Sequence, residues 1–191
     1  MVWRALLPVS NLKSVKRKDA PVELTGSRTI KAPRAEVWAA LNSSDVLKAC
    51  IPGCQELSGS PQDGFEATVM QKVGPVKATF KGAVQFSDVV EGVSYRIAGE
   101  GKGGAAGFAK GGADVRLADT EDGGTELTYD VQASVGGKLA QLGSRIVDGF
   151  AKKMADQFFD KFRAEIEGPS ADGDAAPEEA KKKSWLGRIT G

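Results

Sequence analysis

GEGKGGAAGFAKGGADVRL, Gly99 to Leu117, is the stretch on which the fold turns. Its end alternates, with Ala113, Val115 and Leu117 on one face, which is the period of a strand. Its seven glycines let strands bend sharply and let another backbone come close. The run holds no Gly-Lys-Ser/Thr and does not lead from a strand into a helix, so it is neither a phosphate loop nor a dinucleotide fingerprint. Downstream, Asp122-Gly123-Gly124 turns the chain into a further strand carrying Leu127, Tyr129, Val131 and Ala133 on one face. An amphipathic helix is then predicted from about Gly136 to Glu167, running ~45 Å at ~1.5 Å per residue. Its stripe is Leu139, Leu142, Ile146, Phe150, Met154, Phe158, Phe162 and Ile166, completed by Val147, Ala151 and Phe159. Gly143, Ser144 and Gly149 interrupt that stripe with small side chains, which either bring helix and sheet close or leave room for a ligand.

Upstream, the same period of two runs through two adjacent segments. Phe65, Ala67, Val69, Gln71 and Val73 share one face. After Gly74-Pro75, so do Val76, Ala78, Phe80, Gly82, Val84 and Phe86. Val93, Tyr95, Ile97 and Gly99 repeat the pattern after Glu91-Gly92. Links this short demand antiparallel pairing. Near the start, Glu23 to Lys31 reads as a strand, and Ala32-Pro33 opens a helix with Val37, Trp38, Ala40 and Leu41. Asp45 is expected to cap a second short helix through Cys50, stopped by Pro52-Gly53. The fold expected is α+β: a curved antiparallel sheet with two short helices and one long C-terminal helix, enclosing an elongated apolar cavity.

Composition narrows the function. In 191 residues, Lys and Arg number 26 against 25 Asp and Glu, so no net charge recruits nucleic acid. Nor are aromatics interleaved with basic residues as single-strand binding needs. There is no histidine, which removes Ser-His-Asp and Cys-His hydrolysis and every histidine-containing metal site. The two cysteines, Cys50 and Cys54, are too few for a tetrahedral metal site and read as reduced structural thiols of a cytosolic protein. Glu100, Asp114 and Asp130 fall on outward or rim positions, leaving no acid–base pair within the apolar pattern.

The ends differ from the body. In residues 1–21, Trp3, Leu6 and Leu7 precede Lys13, Lys16, Arg17 and Lys18, the reverse of a secretory signal. That extension reads as a start-site artefact ahead of a domain spanning residues 22–168, with a membrane-touching segment as the alternative. Residues 169–180 have the composition of a disordered linker. Beyond them, Lys181, Lys182 and Lys183 adjoin Trp185, Leu186 and Ile189. Basic residues add ~1 kcal/mol each near an anionic bilayer and tryptophan favours its interface, so residues 181–191 are expected to touch a membrane surface. A solvated tail is the plain alternative.

The cavity is expected to be lined by Val69, Phe80, Val84, Tyr95, Ile97, Phe108, Val115, Tyr129, Ile146, Phe150 and Met154. Tyr95 and Tyr129 would donate to a ligand carbonyl. Phe108 reads equally as a gate over the cavity or a loop anchor. Gln141 and Arg145 are the polar residues best placed for its mouth, or are simply exposed helix surface.

The chain resembles the carbon monoxide dehydrogenase G-subunit family, of the START-like, helix-grip ligand-binding superfamily. The resemblance rests on Cys50-Ile51-Pro52-Gly53, on the Val73-Gly74-Pro75-Val76-Lys77-Ala78-Thr79-Phe80-Lys81-Gly82 hairpin and on Gly136-Gly137-Lys138-Leu139-Ala140-Gln141-Leu142-Gly143-Ser144-Arg145. It covers Val22 to Glu167, and residues 1–21 have no counterpart in it. It implies a non-catalytic accessory protein of a carbon monoxide dehydrogenase-type molybdenum hydroxylase. That enzyme would be recruited to the inner face of the cytoplasmic membrane. No covalent cofactor is expected; the cavity suggests non-covalent binding of a quinone or other lipid-soluble molecule. The competing readings are a protein-only scaffold or assembly factor for the same enzyme, whose cavity would be filled by side chains, and a cyclase-type enzyme of the same fold, which would need acid–base groups inside it.

Overall fold

The computed structural model describes residues 19–168. Seven antiparallel strands form one sheet: β1 (Ala20–Ile30), β2 (Cys54–Ser60), β3 (Gly64–Val73), β4 (Val76–Val90), β5 (Ser94–Lys102), β6 (Phe108–Asp119) and β7 (Thr125–Gly136). Their order is β1-β7-β6-β5-β4-β3-β2, so six strands follow one another as a meander and β1 pairs with the last of them. Helices α1 (Arg34–Leu41) and α2 (Ser44–Cys50) link β1 to β2, and α3 (Ser144–Glu167) packs on the same face of the sheet. β1 begins at Ala20, so Ala20 and Pro21 belong to the sheet although the expected domain starts two residues later.

The alternation read in β3 and β4 holds. Phe65 and Val73 are buried, Ala67, Val69 and Gln71 half-buried, and Glu66 and Lys72 exposed; β4 alternates in the same way from Val76 to Phe86. One strand escaped the pattern. β2 has a single large apolar residue, Leu57, and a bulge between Cys54 and Glu56 breaks its period. α2 is capped by Ser43, whose Oγ accepts from the Val46 amide at 3.5 Å, while Asp45 lies inside the first turn, where a carboxylate favours the helix dipole.

The long helix starts eight residues later than the apolar spacing predicts. β7 continues to Gly136, which pairs with Phe108. Gly137 (φ +73°) then turns against Gly107, close enough that a Cβ on either backbone would strike the other chain segment. A 3₁₀ turn, Ala140–Leu142, and Gly143 (φ +83°) precede α3. Positive φ is incompatible with helix, so these glycines cut α3 to 24 residues, ~36 Å.

Two apolar clusters hold sheet to helices. One gathers Ile30, Val37, Leu41, Cys50, Leu117, Leu127, Phe159 and Phe162 under α1, α2 and the C-terminal half of α3. The other gathers Val22, Val73, Val135, Leu139 and Val147 under its N-terminal end. The Lys31 amide donates to Glu167 at 2.8 Å, and the buried Thr125 hydroxyl donates to the Ala32 carbonyl at 2.7 Å, so the first end is also tied by hydrogen bonds.

Candidate functional site

Between the two clusters α3 keeps to edge strand β1 and leaves a gap over the middle of the sheet. The inner part of the gap has a volume of about 390 Å³ and lies between Tyr95, Val115, Leu127 and Tyr129 on the sheet and Met154, Ala155, Phe158 and Phe159 on α3. The outer part, about 480 Å³, runs over the middle of β3 to β7. Ile51, Leu57, Phe65, Val84, Ile97, Ala113 and Val131 line both, so the two parts form one continuous apolar hollow.

Its shape follows from residue size. The outer floor is Gly82, Gly99, Gly111, Ala109 and Ala133, which fill almost none of the space above the sheet. At Gly99 a Cβ would run into the Ala83 carbonyl, and at Gly111 into Ala133, so the sheet is pinched there as only glycine allows. The outer wall is set by backbone: Gly53 accepts from the Met70 amide at 2.9 Å and Gln71 donates to the Pro52 carbonyl at 2.5 Å. These two bonds hold Ile51 and Pro52 against β3, where both line the hollow.

Aromatic pairs make the inner end. Phe86 packs on Phe65 at 5.7 Å and on Tyr95 at 5.1 Å, and Trp38 meets Tyr95 edge-on at 5.5 Å. Tyr129 stacks on Phe159 at 5.1 Å. Burial pushes the Tyr95 phenol well above the ordinary range, so it is a neutral donor at any physiological pH. The Tyr129 hydroxyl lies over Gly26 of β1, where a Cβ would come within 2.5 Å of it. Arg28, an inward residue of that edge strand, sets its guanidinium 5.7 Å from the Tyr129 ring and 5.4 Å from the Phe159 ring, and bonds Asp156 of α3 at 2.6 Å. Sequence reasoning missed Arg28, which looks like any strand polar residue until its inward parity is counted.

Of the residues expected at the cavity, Tyr95, Val115, Tyr129 and Met154 line the inner part, Val69 and Phe80 the outer, and Val84 and Ile97 both. Three do not line it. Ile146 lies in the first turn of the shortened helix and is 43% exposed. Phe150 packs with the second cluster. Phe108 covers Gly136 at the end of its hairpin, with the Lys110 ammonium 5.8 Å from its ring. Gln141 and Arg145 are exposed and line neither part. Missing from the expectation were Leu47, Ile51, Leu57, Phe65, Phe86 and Phe158. Phe65 and Phe86 follow from strand parity, whereas Leu57 sits on β2, whose bulge breaks the period.

The polar groups elsewhere pair on the surface. Arg96 holds Asp114 with bonds of 2.8 and 3.0 Å on the outer face, and this keeps the carboxyl below the usual range. Among the described residues no cluster of histidine, cysteine or carboxylate side chains could hold a metal. Cys50 is buried and Cys54 half-buried; both are free thiols, and burial pushes each upward in pKa. No described helix is long and apolar enough to cross a membrane. The membrane-contact residues Lys181, Lys182, Lys183, Trp185, Leu186 and Ile189 lie outside the described residues.

A curved antiparallel sheet gripping one long helix over an apolar hollow defines a START-like, helix-grip protein. A START superfamily protein from Mycobacterium smegmatis has the same fold, with a TM-score of 0.57 at 12% identity over 76% of this chain and 97% of its own. The family model for the carbon monoxide dehydrogenase G-subunit, CoxG, matches residues 26–167, and the chain belongs to that family. A conserved protein from Geobacillus kaustophilus is 32% identical, with a TM-score of 0.72 over 76% of this chain and 95% of its own. A protein from Rhizobium leguminosarum shares the fold at 19% identity and a TM-score of 0.60, over 78% of this chain and 96% of its own. No curated protein matches in sequence.

Proposed function

We propose that this protein carries a lipid-soluble molecule, a quinone being the best fit, and docks a carbon monoxide dehydrogenase-type molybdenum hydroxylase at the inner face of the cytoplasmic membrane. The observation that carries the reading is the continuous apolar hollow in a member of the CoxG family. Its inner part alone is within the ~300–1,000 Å³ of small-molecule sites. A protein-only scaffold has no use for that space, and its aromatic residues could have closed it; Phe86 and Phe158 instead stand along its walls.

The chemistry suits a quinone better than a plain hydrocarbon. A quinone ring offers flat faces for Phe86 and Phe159, and its carbonyl can accept from the neutral Tyr95 phenol. The apolar outer part would take the isoprenoid chain. The only charged residues on its lining, Glu100 and Lys110, sit opposite each other on β5 and β6 with exposed side chains, and in this reading the protein binds, shields and hands on. The Lys181–Lys183 cluster with Trp185, Leu186 and Ile189 would supply the contact with the anionic bilayer.

The test is mass spectrometry on an organic extract of the protein purified from a quinone-producing host. A stoichiometric quinone is the expected result; an empty extract from folded protein would leave only the docking role. Removal of residues 181–191 is expected to abolish sedimentation with anionic liposomes, and equal sedimentation would refute the membrane contact.

A further inference from the structure

We infer that the C-terminal tail seats Trp185, Leu186 and Ile189 in the apolar hollow of its own domain when no bilayer holds them, so that the tail and the ligand compete for one site. The inference rests on the hollow being a binding site, and it adds a regulator. Three observations carry it. The hollow is open and its lining is apolar almost throughout, leaving one contiguous surface that a soluble domain would ordinarily cover. The large apolar residues after α3 are confined to positions 185–189 and include a tryptophan, a side chain of the same kind as the aromatics already lining the inner end. Finally, the distances agree. α3 borders the hollow at Met154 and Phe158 and the described chain ends at Gly168, ~21 Å of helix beyond Met154. The 16 residues from Pro169 to Ser184 can reach at most ~53 Å when fully extended, more than the distance back to Met154, so the chain is long enough to deliver Trp185 to the hollow.

A tether of that length holds the tail at an effective concentration on the order of millimolar, so even a weak contact is populated. The same residues cannot lie in the hollow and on a bilayer at once. Binding to an anionic surface therefore vacates the hollow, and by linkage a filled hollow releases the tail to the membrane by the same factor. Loading and docking become one event at the bilayer, and the apolar site stays covered elsewhere.

The experiment uses the full chain. The fluorescence titration of N-phenyl-1-naphthylamine, a neutral apolar probe, is compared between the parent protein and a variant with Trp185→Ala, Leu186→Ala and Ile189→Ala. The variant is expected to bind three- to tenfold tighter, and a second variant with Lys181→Gln, Lys182→Gln and Lys183→Gln to match the parent. Equal affinity in parent and triple-alanine variant overturns the inference and leaves the hollow as a binding site. Failure of both to bind the probe removes the hollow as a binding site and the inference with it. A difference that grows with protein concentration would place the tail in a second copy, which also overturns the intrachain form.

Discussion

Toward its C-terminus α3 presses Phe159 and Phe162 into a core where Phe162, Ile30, Leu127 and Val37 are all but inaccessible. Toward its N-terminus only Val147 of the same helix is buried, against Val22, Val73 and Val135; Ile146 is exposed, and the glycine and alanine floor of the neighbouring strands is left open. One element thus has a closed half and an open half. The closed half supplies the stability that lets the open half remain unfilled, since a hollow forfeits the contacts its lining atoms would otherwise make.

Truncation should separate the halves most sharply. Phe162→Ala removes a side chain with no exposed surface and is expected to cost about 3–5 kcal/mol, read as a lowered urea midpoint. Phe150→Ala, where the ring is only half-buried, should cost about half that. Equal losses would mean that the open half is as tightly packed as the closed one.

Enlargement reverses the test. Ala32 is 5% exposed in the closed core, so Ala32→Leu should cost about 1–3 kcal/mol through overpacking. Ala113 lines both parts of the hollow, so Ala113→Leu should change stability by less than about 1 kcal/mol while weakening binding of an apolar probe severalfold. A large loss of stability at Ala113 would show the hollow to be a space the fold needs. A smaller effect is expected at Tyr95→Phe, which should weaken retention of a quinone-like ligand about two- to fivefold without unfolding the domain. Unchanged retention would remove the Tyr95 hydroxyl from the ligand contacts.

The closed half is the more legible in the sequence. Its strands alternate cleanly, and Phe158, Phe159 and Phe162 mark the helix stripe without ambiguity. The open half is less legible because its structure depends on backbone rather than on side-chain pattern. Leu139 and Leu142 continue the apolar spacing of the helix, yet Gly137 and Gly143 at positive φ hold them in a turn. Spacing cannot distinguish those cases. The same shift put Ile146 in the helix's first turn and Phe150 in the second cluster, removing both from the hollow. Leu57 was lost with β2, whose bulge hides the period of two. Arg28 is legible by parity alone, since it shares a face of β1 with Leu24 and Ile30, and the register confirms it by setting it opposite Leu127.

Arg28 stands at the seam between the halves, and it gives the finest test of how they are joined. Its guanidinium reaches across from edge strand β1 to Asp156, which Lys152 also binds at 2.8 Å, and it lies over the Tyr129 and Phe159 rings. Lys152 first, and Arg28 after it, hold the Asp156 carboxyl below its usual range. A carboxyl depressed in the folded state stabilises the fold above its unfolded pKa, ~3.9, and that contribution is lost as pH falls through the lower folded value. Arg28→Met keeps an apolar stem over the rings and removes the ion pair. It should therefore be slightly less stable than the parent at pH 7, and the two should converge in acid, once the pH has fallen below the depressed pKa and Asp156 is protonated in both. Persistence of the full difference in acid would locate the contribution of Arg28 in its stacking over the aromatic pair. The seam would then be held by the inner end of the hollow itself, and ligand occupancy there would bear directly on how firmly α3 is seated.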